Sequence, residues 1–390
     1  MGNMLIVHGG GPTAVMNASL YGVIRAARES GRVEHLYGAI GGTEAILKEA
    51  FVDLLAFSEE RLSLLLSTPA SAIGSSRYPL EEKDYLKMPV VFRKYGIEYV
   101  LLNGGNGTMD ACGHIYRTCQ EIGVKVIGIP KTIDNDIALT DHAPGYGSAA
   151  RYIAATVHEI AQDVRALPIH VCVVEAMGRN AGWIAAASAL ARTQTDTAPD
   201  LIYLPERVFN EEEFLRDVQE VYDRKGYAVV VASEGLANER GESIVEPIYQ
   251  TDRAVYYGDV SSHLAMLVIK KLGIKARSEK PGIAGRASIA WQSAVDREEA
   301  VCVGKFAVQS ILAGENGGMV ALVRKRAPWY DIEYTLVPVE QVMLFERKMP
   351  DEYINEKGND VTDAFVEWCR PLVGEALPEF LNFRDCLNRK

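Results

Sequence analysis

The stretch Pro130-Lys131-Thr132-Ile133-Asp134-Asn135-Asp136 directly follows the apolar run at residues 124–129. Such a run is typical of a strand buried in a parallel sheet, and open α/β sheets bind their ligands at the carboxyl ends of these strands. Asp134 and Asp136 are two residues apart, so in an extended chain their side chains project to the same side. The heptapeptide 130–136 therefore predicts an α/β fold with a ligand site at this strand end.

The polar side chains of the heptapeptide favour a catalytic role. Asp134 and Asp136 suit proton abstraction and the binding of a divalent metal ion, and Lys131 suits a phosphate. The Thr132 hydroxyl lies two residues before the first carboxylate. A polar turn that caps the next helix would explain one aspartate but hardly this combination of side chains. We therefore predict that the heptapeptide takes part in chemistry.

Short apolar runs alternate with helical periodicity along the chain. Strands are predicted at residues 4–8, 35–40, 99–102, 125–129, 170–175, 200–204, 227–232 and 319–323. Helices are predicted at residues 18–29, 148–166, 182–192, 211–225 and 361–369. Alternation of this kind predicts α/β domains whose parallel sheets are covered by helices on both faces.

Two segments rich in proline and glycine mark the predicted domain boundaries. Pro144-Gly145-Tyr146-Gly147 precedes a long helix, for which Ser148 is the predicted N-cap. Lys280-Pro281-Gly282 marks the predicted return of the chain to the first domain. The prediction is a first domain of residues 1–146 plus 286–335 and a second domain of residues 147–285 plus 336–390.

Length and composition exclude several classes of protein. A chain of 390 residues with 48% hydrophobic and 24% charged residues is typical of a soluble protein with two or three domains. The net charge of −11 argues against a nucleic-acid partner. We find neither a run as long as a membrane span nor a signal peptide, so we expect a cytoplasmic protein with no membrane partner. The six cysteines show no paired spacing of metal ligands, which fits reduced thiols.

The first glycine-rich segment supports an alternative from another class. Residues 9–14 read as Gly-x-Gly-x-x-Ala after a strand, which is the fingerprint of a nicotinamide-cofactor dehydrogenase. That fold needs an acidic residue at the end of the second strand to hold the ribose, but residues 39–43 read Ala-Ile-Gly-Gly-Thr. Pro12 also removes a backbone donor where a phosphate would need one. The dehydrogenase stays open as the less favoured alternative.

A second glycine-rich loop, Gly104-Gly105-Asn106-Gly107-Thr108, opens a helix after a predicted strand. Backbone N–H groups and a helix N-terminus together form an anion site. The chain contains no Gly-x-x-x-x-Gly-Lys-Ser/Thr motif, which argues against a P-loop kinase. This loop therefore predicts a phosphate site of another kind.

These motifs, in this order, resemble the phosphofructokinase family. The resemblance covers roughly residues 4–335, and its most specific parts are the heptapeptide and Met177-Gly178-Arg179. The matching segments are Gly10-Gly11 with Met16-Asn17, Gly74-Ser75-Ser76-Arg77, the second glycine loop, the heptapeptide, Met177-Gly178-Arg179, Glu234-Gly235, Arg277 and Arg286. The resemblance implies two Rossmann-like domains with the active site in the cleft between them. It also implies a homodimer or homotetramer, because family sites borrow residues across subunits.

The resemblance implies transfer of a phosphoryl group to the 1-hydroxyl of fructose 6-phosphate, with Mg²⁺ as cofactor. The predicted catalytic residues are Asp134 as the base, Thr132 and Asp136, and the predicted metal ligands are Asn106, Asp134 and Asp136. The predicted donor-binding residues are Gly11, Arg77, Gly105, Asn106, Gly107, Thr108 and Lys131. The predicted sugar-binding residues are Thr132, Asp134, His170, Met177, Gly178, Arg179, Glu234, Arg277 and Arg286.

Four positions depart from the family pattern. Asn106 stands where the family usually has an acidic metal contact, and His170 where many members have an arginine that reaches a neighbouring subunit's sugar phosphate. Ile283 replaces a histidine of bacterial ATP-dependent members, and Thr68 replaces an arginine that contacts ATP. These departures leave open another acceptor, such as sedoheptulose 7-phosphate, and a non-catalytic sugar-phosphate sensor.

Two residues give opposing indications about the phosphoryl donor. Gly107 leaves room for the α-phosphate of a nucleotide, where pyrophosphate-dependent members usually have an aspartate. Lys131 is the residue found in pyrophosphate enzymes, but some ATP-dependent members combine such a glycine with such a lysine. Because exclusion by bulk and charge is harder to circumvent than one added cation, we predict ATP as donor, with pyrophosphate as the alternative.

Overall fold

The computed structural model describes residues 2–194, 196–251, 255–343 and 345–383. The chain forms two compact units. The first comprises Met1–Ser148 and Arg286–Arg347, and the second comprises Ala149–Gly285 and Lys348–Lys390. Each unit is a sheet flanked by helices, which confirms the predicted fold class.

The described strands are β1 (Gly2–His8), β2 (Val33–Ala39), β3 (Phe51–Asp53), β4 (Ile97–Gly104), β5 (Lys125–Pro130), β6 (Val171–Ala176), β7 (Leu201–Tyr203), β8 (Ala228–Ser233), β9 (Pro247–Gln250), β10 (Val255–Tyr257), β11 (Ala276–Glu279), β12 (Gly318–Arg324) and β13 (Ile332–Pro338). The described α-helices are α1 (Met16–Ser30), α2 (Glu44–Leu47), α3 (Glu59–Ser63), α4 (Glu82–Tyr85), α5 (Met88–Lys94), α6 (Asn106–Cys119), α7 (Tyr146–Ala166), α8 (Trp183–Ala187), α9 (Glu211–Lys225), α10 (Val260–Leu272), α11 (Ala284–Ala287), α12 (Ala294–Ala313) and α13 (Asp363–Cys369). None of these helices combines the length and the hydropathy of a membrane span.

The first unit contains a seven-stranded sheet with the order β3-β2-β1-β4-β5-β12-β13. The five central strands run parallel, whereas β3 and β13 pair antiparallel at the two edges. The sequence prediction described parallel sheets only and missed both edge strands. Neither edge strand is a buried apolar run, because β3 has only three residues and every residue of β13 is at least partly exposed.

Alternate residues of the central strands enter two apolar cores, one on each face of the sheet. Leu5, Val100 and Val126 belong to one core, and Ile6 and Leu101 belong to the other. β1, β4 and β5 end level with one another, because His8 pairs with Asn103 and Asn103 pairs with Ile129. The two glycine loops and the heptapeptide therefore lie side by side, at the carboxyl ends of three adjacent central strands.

The second unit contains a four-stranded parallel sheet with the order β11-β6-β8-β7. Every residue of β6 and β8 is buried, as expected for central strands covered on both faces. β9 and β10 pair antiparallel in a separate two-stranded sheet, and the sequence predicted neither of them nor β11. β11 carries charged and exposed residues, so it lacks the apolar signal of its neighbour β6.

The predicted end of the first domain at residue 335 is wrong. β13 continues pairing with β12 through Pro338, and Val339 and Val342 are buried in a core of the first unit. Residues 336–347 therefore belong to the first unit, and the second unit resumes at Lys348. The crossing predicted after residue 146 occurs after Ser148, whose backbone N–H donates to Asp296 of the first unit at 2.8 Å.

Candidate active site

The heptapeptide is anchored at its start by two backbone hydrogen bonds. The N–H of Lys131 donates to Gly104 O at 3.0 Å, and the N–H of Thr132 donates to Pro144 O at 3.2 Å. Thr132 also pairs as an isolated parallel bridge with Gly145. The heptapeptide is thus held between the second glycine loop and the segment that leads into α7.

The chain is not extended through the two aspartates, which corrects the prediction from their spacing. Asn135 has a φ of +53°, in the left-handed region, and the N–H of Asp134 donates to Thr132 Oγ1 at 3.1 Å. Asn135 Oδ1 accepts from the N–H of Ala143 at 3.2 Å, which holds the turn from the far side. Asparagine tolerates this conformation better than most residues, so the turn explains the middle position of Asp-Asn-Asp.

Lys131 is buried, and its ammonium group donates a hydrogen bond to a backbone carbonyl. Its side chain is 2% exposed, and Nζ donates to the carbonyl oxygen of Gly11. Burial lowers the pKa of Lys131 to about 8, against an opposing effect of the Asp134 carboxylate, and the charges of Arg77 and Arg286 lower it further. Arg77 and Arg286 thus act on the same buried ammonium group.

The two arginines flank the first glycine loop. A Cβ placed on Gly11 would lie 3.1 Å from Arg286 Nη1 and 3.5 Å from Arg77 Nη2. Gly11 therefore lacks a side chain where two guanidinium groups approach the backbone. Arg77, a predicted donor-binding residue, therefore lies beside the first glycine loop. Arg286, a predicted sugar-binding residue, lies beside the same loop.

The second glycine loop opens α6. Gly105 is the N-cap of this helix, Asn106 is its first residue, and the Thr108 side chain is buried against the two glycine loops. No heavy atom lies within 4 Å of a Cβ placed on Gly107, once its neighbours in the chain and helix are set aside. The space predicted beside Gly107 is therefore present.

Asn106 and Asp136 contact each other through the amide nitrogen. Asn106 Nδ2 donates to Asp136 Oδ2 at 3.0 Å and to the Asp136 carbonyl at 3.3 Å. Asn106 Oδ1 and Asp136 Oδ1 are buried and make no hydrogen bond to the described residues. Burial raises the pKa of Asp136, although hydrogen bonds from Thr132 and Asn106 oppose that shift.

These two oxygens fit a hard cation such as Mg²⁺, which prefers oxygen ligands and keeps several waters. Among the described residues, no cluster of three or more His, Cys, Asp or Glu is arranged to hold a metal ion. The chain therefore offers a small oxygen site that needs donor phosphates or water to complete a coordination shell.

In the second unit, Met177-Gly178-Arg179 and Glu234-Gly235 lie together at the carboxyl ends of β6 and β8. The N–H of Gly178 donates to Glu234 Oε1 at 3.2 Å, and Ser233 Oγ donates to the Gly178 carbonyl at 2.7 Å. A Cβ on Gly235 would overlap the carbonyl oxygen of Arg179, so only glycine allows these two segments to pack this closely. Arg179 itself is exposed.

His170 and Arg277 are brought together at another place in the second unit. Both line a cavity of about 330 Å³ with Lys275 and Ile274. Burial lowers the pKa of His170, and the charge of Arg277 lowers it further. The imidazole at this position is therefore held neutral beside two cations.

The sequence reasoning missed three polar groups at the site of the first unit. His8 ends β1 and is fully buried, with Nδ1 2.8 Å from Ser71 Oγ, and burial next to Lys131 lowers its pKa to about 3. Asp296 and Glu299 are buried on the first turns of α12. His8, as a polar residue at the end of an apolar strand, was visible in the sequence, whereas nothing near residues 296–299 indicated contact with a distant loop.

A family model described as Phosphofructokinase matches residues 3–311. The chain belongs to the phosphofructokinase family. Pyrophosphate–fructose 6-phosphate 1-phosphotransferase of Rhodospirillum rubrum is 37% identical to it, over 98% of this chain and 97% of that protein. Sulfofructose kinase of Alkalicoccus urumqiensis is 34% identical, over 93% of each chain.

A solved structure agrees with the family assignment. The pyrophosphate-dependent phosphofructokinase from Marinobacter aquaeolei superposes with a TM-score of 0.88 at 34% identity, covering 98% of this chain and 94% of that one. These comparisons do not confirm ATP as the donor of this phosphofructokinase. They favour pyrophosphate, the alternative that we ranked second.

Proposed function

We propose that this phosphofructokinase transfers a phosphoryl group from pyrophosphate to the 1-hydroxyl of fructose 6-phosphate. The observation that carries the proposal is the group of three cations around Gly11, formed by Lys131, Arg77 and Arg286. Pyrophosphate has no base or ribose to supply binding energy, so a compact cluster of cations must hold it by charge. The names of two similar proteins, from Rhodospirillum rubrum and Marinobacter aquaeolei, support this donor.

The residues of the first unit would position the reacting groups. Asp134 would accept the proton of the attacking hydroxyl, and Thr132 and Gly11 would steady the transferring phosphoryl group. Asp136 and Asn106 would hold Mg²⁺, which neutralises charge on donor oxygens when it is bound. Because Arg286 lies next to Gly11, we assign it to the transferring phosphoryl group rather than to the sugar phosphate.

The second unit would bind the sugar phosphate. Glu234 and Arg179 would contact the sugar, since Gly178 and Gly235 bring their two segments together. Arg277, with His170 beside it, would bind the phosphate of an acceptor held by a neighbouring subunit, since the two lie away from Glu234 and Arg179. We further propose a homodimer or homotetramer, which light scattering would detect as two or four times the chain mass of 42.8 kDa.

The neutral side chain of His170 suggests a second candidate acceptor, one with a less charged group than a phosphate. A phosphate dianion favours cationic partners, whereas a sulfonate carries one charge and needs fewer of them. The imidazole of His170 is held neutral by burial and by Arg277 where many family members have an arginine. Together with the similarity to a sulfofructose kinase, this makes sulfofructose the second candidate acceptor.

Steady-state kinetics with purified protein and Mg²⁺ tests both parts of the proposal. We expect kcat/KM to be higher with pyrophosphate than with ATP, and consumption of pyrophosphate to be visible by ³¹P NMR. Parallel assays with fructose 6-phosphate and sulfofructose identify the acceptor. A wild type that is faster with ATP would overturn the choice of donor.

Gly107→Asp tests separately whether the protein uses ATP or pyrophosphate. The open space at this position accepts the side chain, whose charge and bulk would repel the α-phosphate of ATP. We expect the variant to lose residual ATP activity and keep its activity with pyrophosphate. Gln120→Glu adds the same charge at the exposed position that follows α6 and serves as the control.

A further inference from the structure

We propose that Asp296 is a positioning residue for phosphoryl transfer, because it anchors the loop that keeps Thr132 at a fixed distance from the first glycine loop. The proposal rests on the proposed function, since it assumes that Thr132 and Gly11 steady the transferring group. The spacer loop, as defined here, comprises residues 143–145 and the first three residues of α7, 146–148.

Asp296 accepts three hydrogen bonds from the spacer loop. Its Oδ1 accepts from the N–H of Gly145 at 2.8 Å, and its Oδ2 accepts from the N–H and the Oγ of Ser148 at 2.8 and 2.5 Å. The side chain is 1% exposed, and no described lysine or arginine forms an ion pair with it. Both carboxylate oxygens are thus used to hold one loop.

Gly145 is the part of the spacer loop that touches the catalytic residues. It pairs with Thr132, and a Cβ placed on it would lie 2.6 Å from Thr13 Cγ2 and 3.1 Å from Thr132 O. Thr13 belongs to the first glycine-rich segment, four residues after Gly9. Gly145 therefore lies between the first glycine-rich segment and the heptapeptide, with a φ of +110° that glycine adopts freely.

Asp296 is itself held rigidly on the first turn of α12. Its N–H donates to Ser293 Oγ at 3.3 Å, and the N–H of Ser293 donates to Ser148 Oγ at 3.2 Å. Three residues further along α12, Glu299 contacts His142 Nε2 at 2.7 Å, just before the spacer loop. One helix thereby fixes the spacer loop and the residue that precedes it.

A buried carboxylate without a cation is costly, and burial raises the pKa of Asp296 to about 6. Only an acceptor with two oxygens satisfies three donors from one loop, so the side chain matches this geometry. Phosphoryl transfer depends on positioning, and a displacement of about 1 Å costs on the order of 10²-fold in rate. Loss of the anchor should therefore act on kcat through Thr132 and Gly11.

Asp296→Asn tests the proposal, because the amide offers one oxygen and turns an N–H₂ group towards donors. We expect kcat to fall roughly 10- to 100-fold while the KM values for both substrates stay within about three-fold. Ser148→Ala removes one of the three donors to Asp296, together with the acceptor of the Ser293 N–H, and should have a smaller effect. Asp84→Asn is the matched control, since Asp84 is a buried carboxylate of the first unit that accepts the N–H of Glu81.

Amide hydrogen exchange gives a readout that does not depend on turnover. In Asp296→Asn, exchange at Gly145, Ser148 and Thr132 should accelerate relative to the wild type and to Asp84→Asn. Unchanged exchange, or a kcat equal to that of Asp84→Asn, would overturn the positioning role. If the wild type does not turn over fructose 6-phosphate with pyrophosphate, the proposed function fails, and the exchange rates still decide whether Asp296 holds the loop.

Discussion

Asp134 is the residue on which the proposed chemistry depends most directly. It lies in a turn fixed by Thr132 and by the left-handed Asn135, directly after the buried strand β5. Asp134→Asn keeps the size of the side chain but removes the base. We expect kcat to fall roughly 10²- to 10⁴-fold with little change in thermal stability. Near-normal kcat in a folded variant would remove Asp134 from the role of base.

In the proposed metal site, Asn106 is the partner that contributes no charge. Its amide nitrogen donates to Asp136 at 3.0 Å, so the pair carries at most one negative charge. Asn106→Asp replaces this donor with a second carboxylate, and Mn²⁺ should bind the free protein at least about ten-fold more tightly, the effect of roughly 1.4 kcal/mol. Electron paramagnetic resonance of free Mn²⁺, without phosphoryl donor, measures the affinity.

Gln120→Glu adds the same charge at the exposed position after α6 and is the control for this measurement. An equal gain in Mn²⁺ affinity in both variants would mean that general charge, and not the pair of Asn106 with Asp136, sets the affinity.

The candidate site residues that were predicted from the sequence directly follow apolar runs that are typical of buried strands. Lys131, Thr132 and Asp134 follow an apolar strand, and the glycine loops follow two others, so strand ends pointed to them. The contact of Asp296 with residues 145 and 148 and the position of Arg286 beside Gly11 were not predicted, because both come from packing between segments about 150 to 275 residues apart in the chain. Local patterns contain no information about such contacts.

At the scale of elements, α12 contacts the spacer loop through Asp296 and takes part in a second buried network through Glu299. His142 contacts Asp141 at 2.9 Å and Glu299 at 2.7 Å, and Tyr330 donates to the other oxygen of Glu299. Burial lowers the pKa of His142, but the charge of Glu299 and the hydrogen bonds to Asp141 and Glu299 raise it more, to about 9. Protonated His142 therefore stabilises the contact between α12 and this loop.

His142→Gln tests that contribution through its dependence on pH. Because the folded pKa exceeds the unfolded value of 6.5, the stabilisation is full below pH 6.5 and is lost as the pH rises through 9. The wild type should exceed the variant in unfolding free energy by about 3 kcal/mol at pH 6, from a shift of about 2.5 pH units. Denaturant unfolding between pH 6 and 10 should show the difference shrinking.

The exposed His114 provides the control for this series. The His114→Gln series measures the effect of losing an exposed histidine and is subtracted from the His142→Gln series. A remaining difference between the wild type and His142→Gln that does not shrink as the pH rises would contradict the raised pKa of His142.

The prediction of elements succeeded where an element carries its own apolar pattern. Buried central strands such as β5, β6 and β8 were found from the sequence, as was the amphipathic α9. The edge strands β3, β11 and β13 were missed, since they are short or exposed and are strands only because a neighbour pairs with them. Their formation depends on tertiary contacts, which a single sequence does not reveal.

At the scale of the whole molecule, each of the two units is built from two separate segments of the chain. The first unit begins the chain, is interrupted after Ser148 and resumes at Arg286, so residues from both of its segments surround Gly11. The Pro/Gly-rich segments end within four residues of both internal crossings, whereas the third crossing, after Arg347, follows an edge strand and has no such segment beside it. Edge pairing, rather than composition, determines where the first unit ends.

If the first unit binds the phosphoryl donor and the second unit binds the sugar phosphate, each substrate should protect the amides of one unit from hydrogen exchange. Pyrophosphate with Mg²⁺ should slow amide exchange in the heptapeptide and the second glycine loop, because Lys131, Arg77 and Arg286 lie in the first unit. Fructose 6-phosphate alone should slow exchange at residues 177–179 and 234–235 of the second unit. Lys131→Met should abolish the first effect and leave the second, since it removes a buried cation from the donor residues only. Protection of the second unit by pyrophosphate alone, with none in the first, would contradict the assignment of the donor to the first unit.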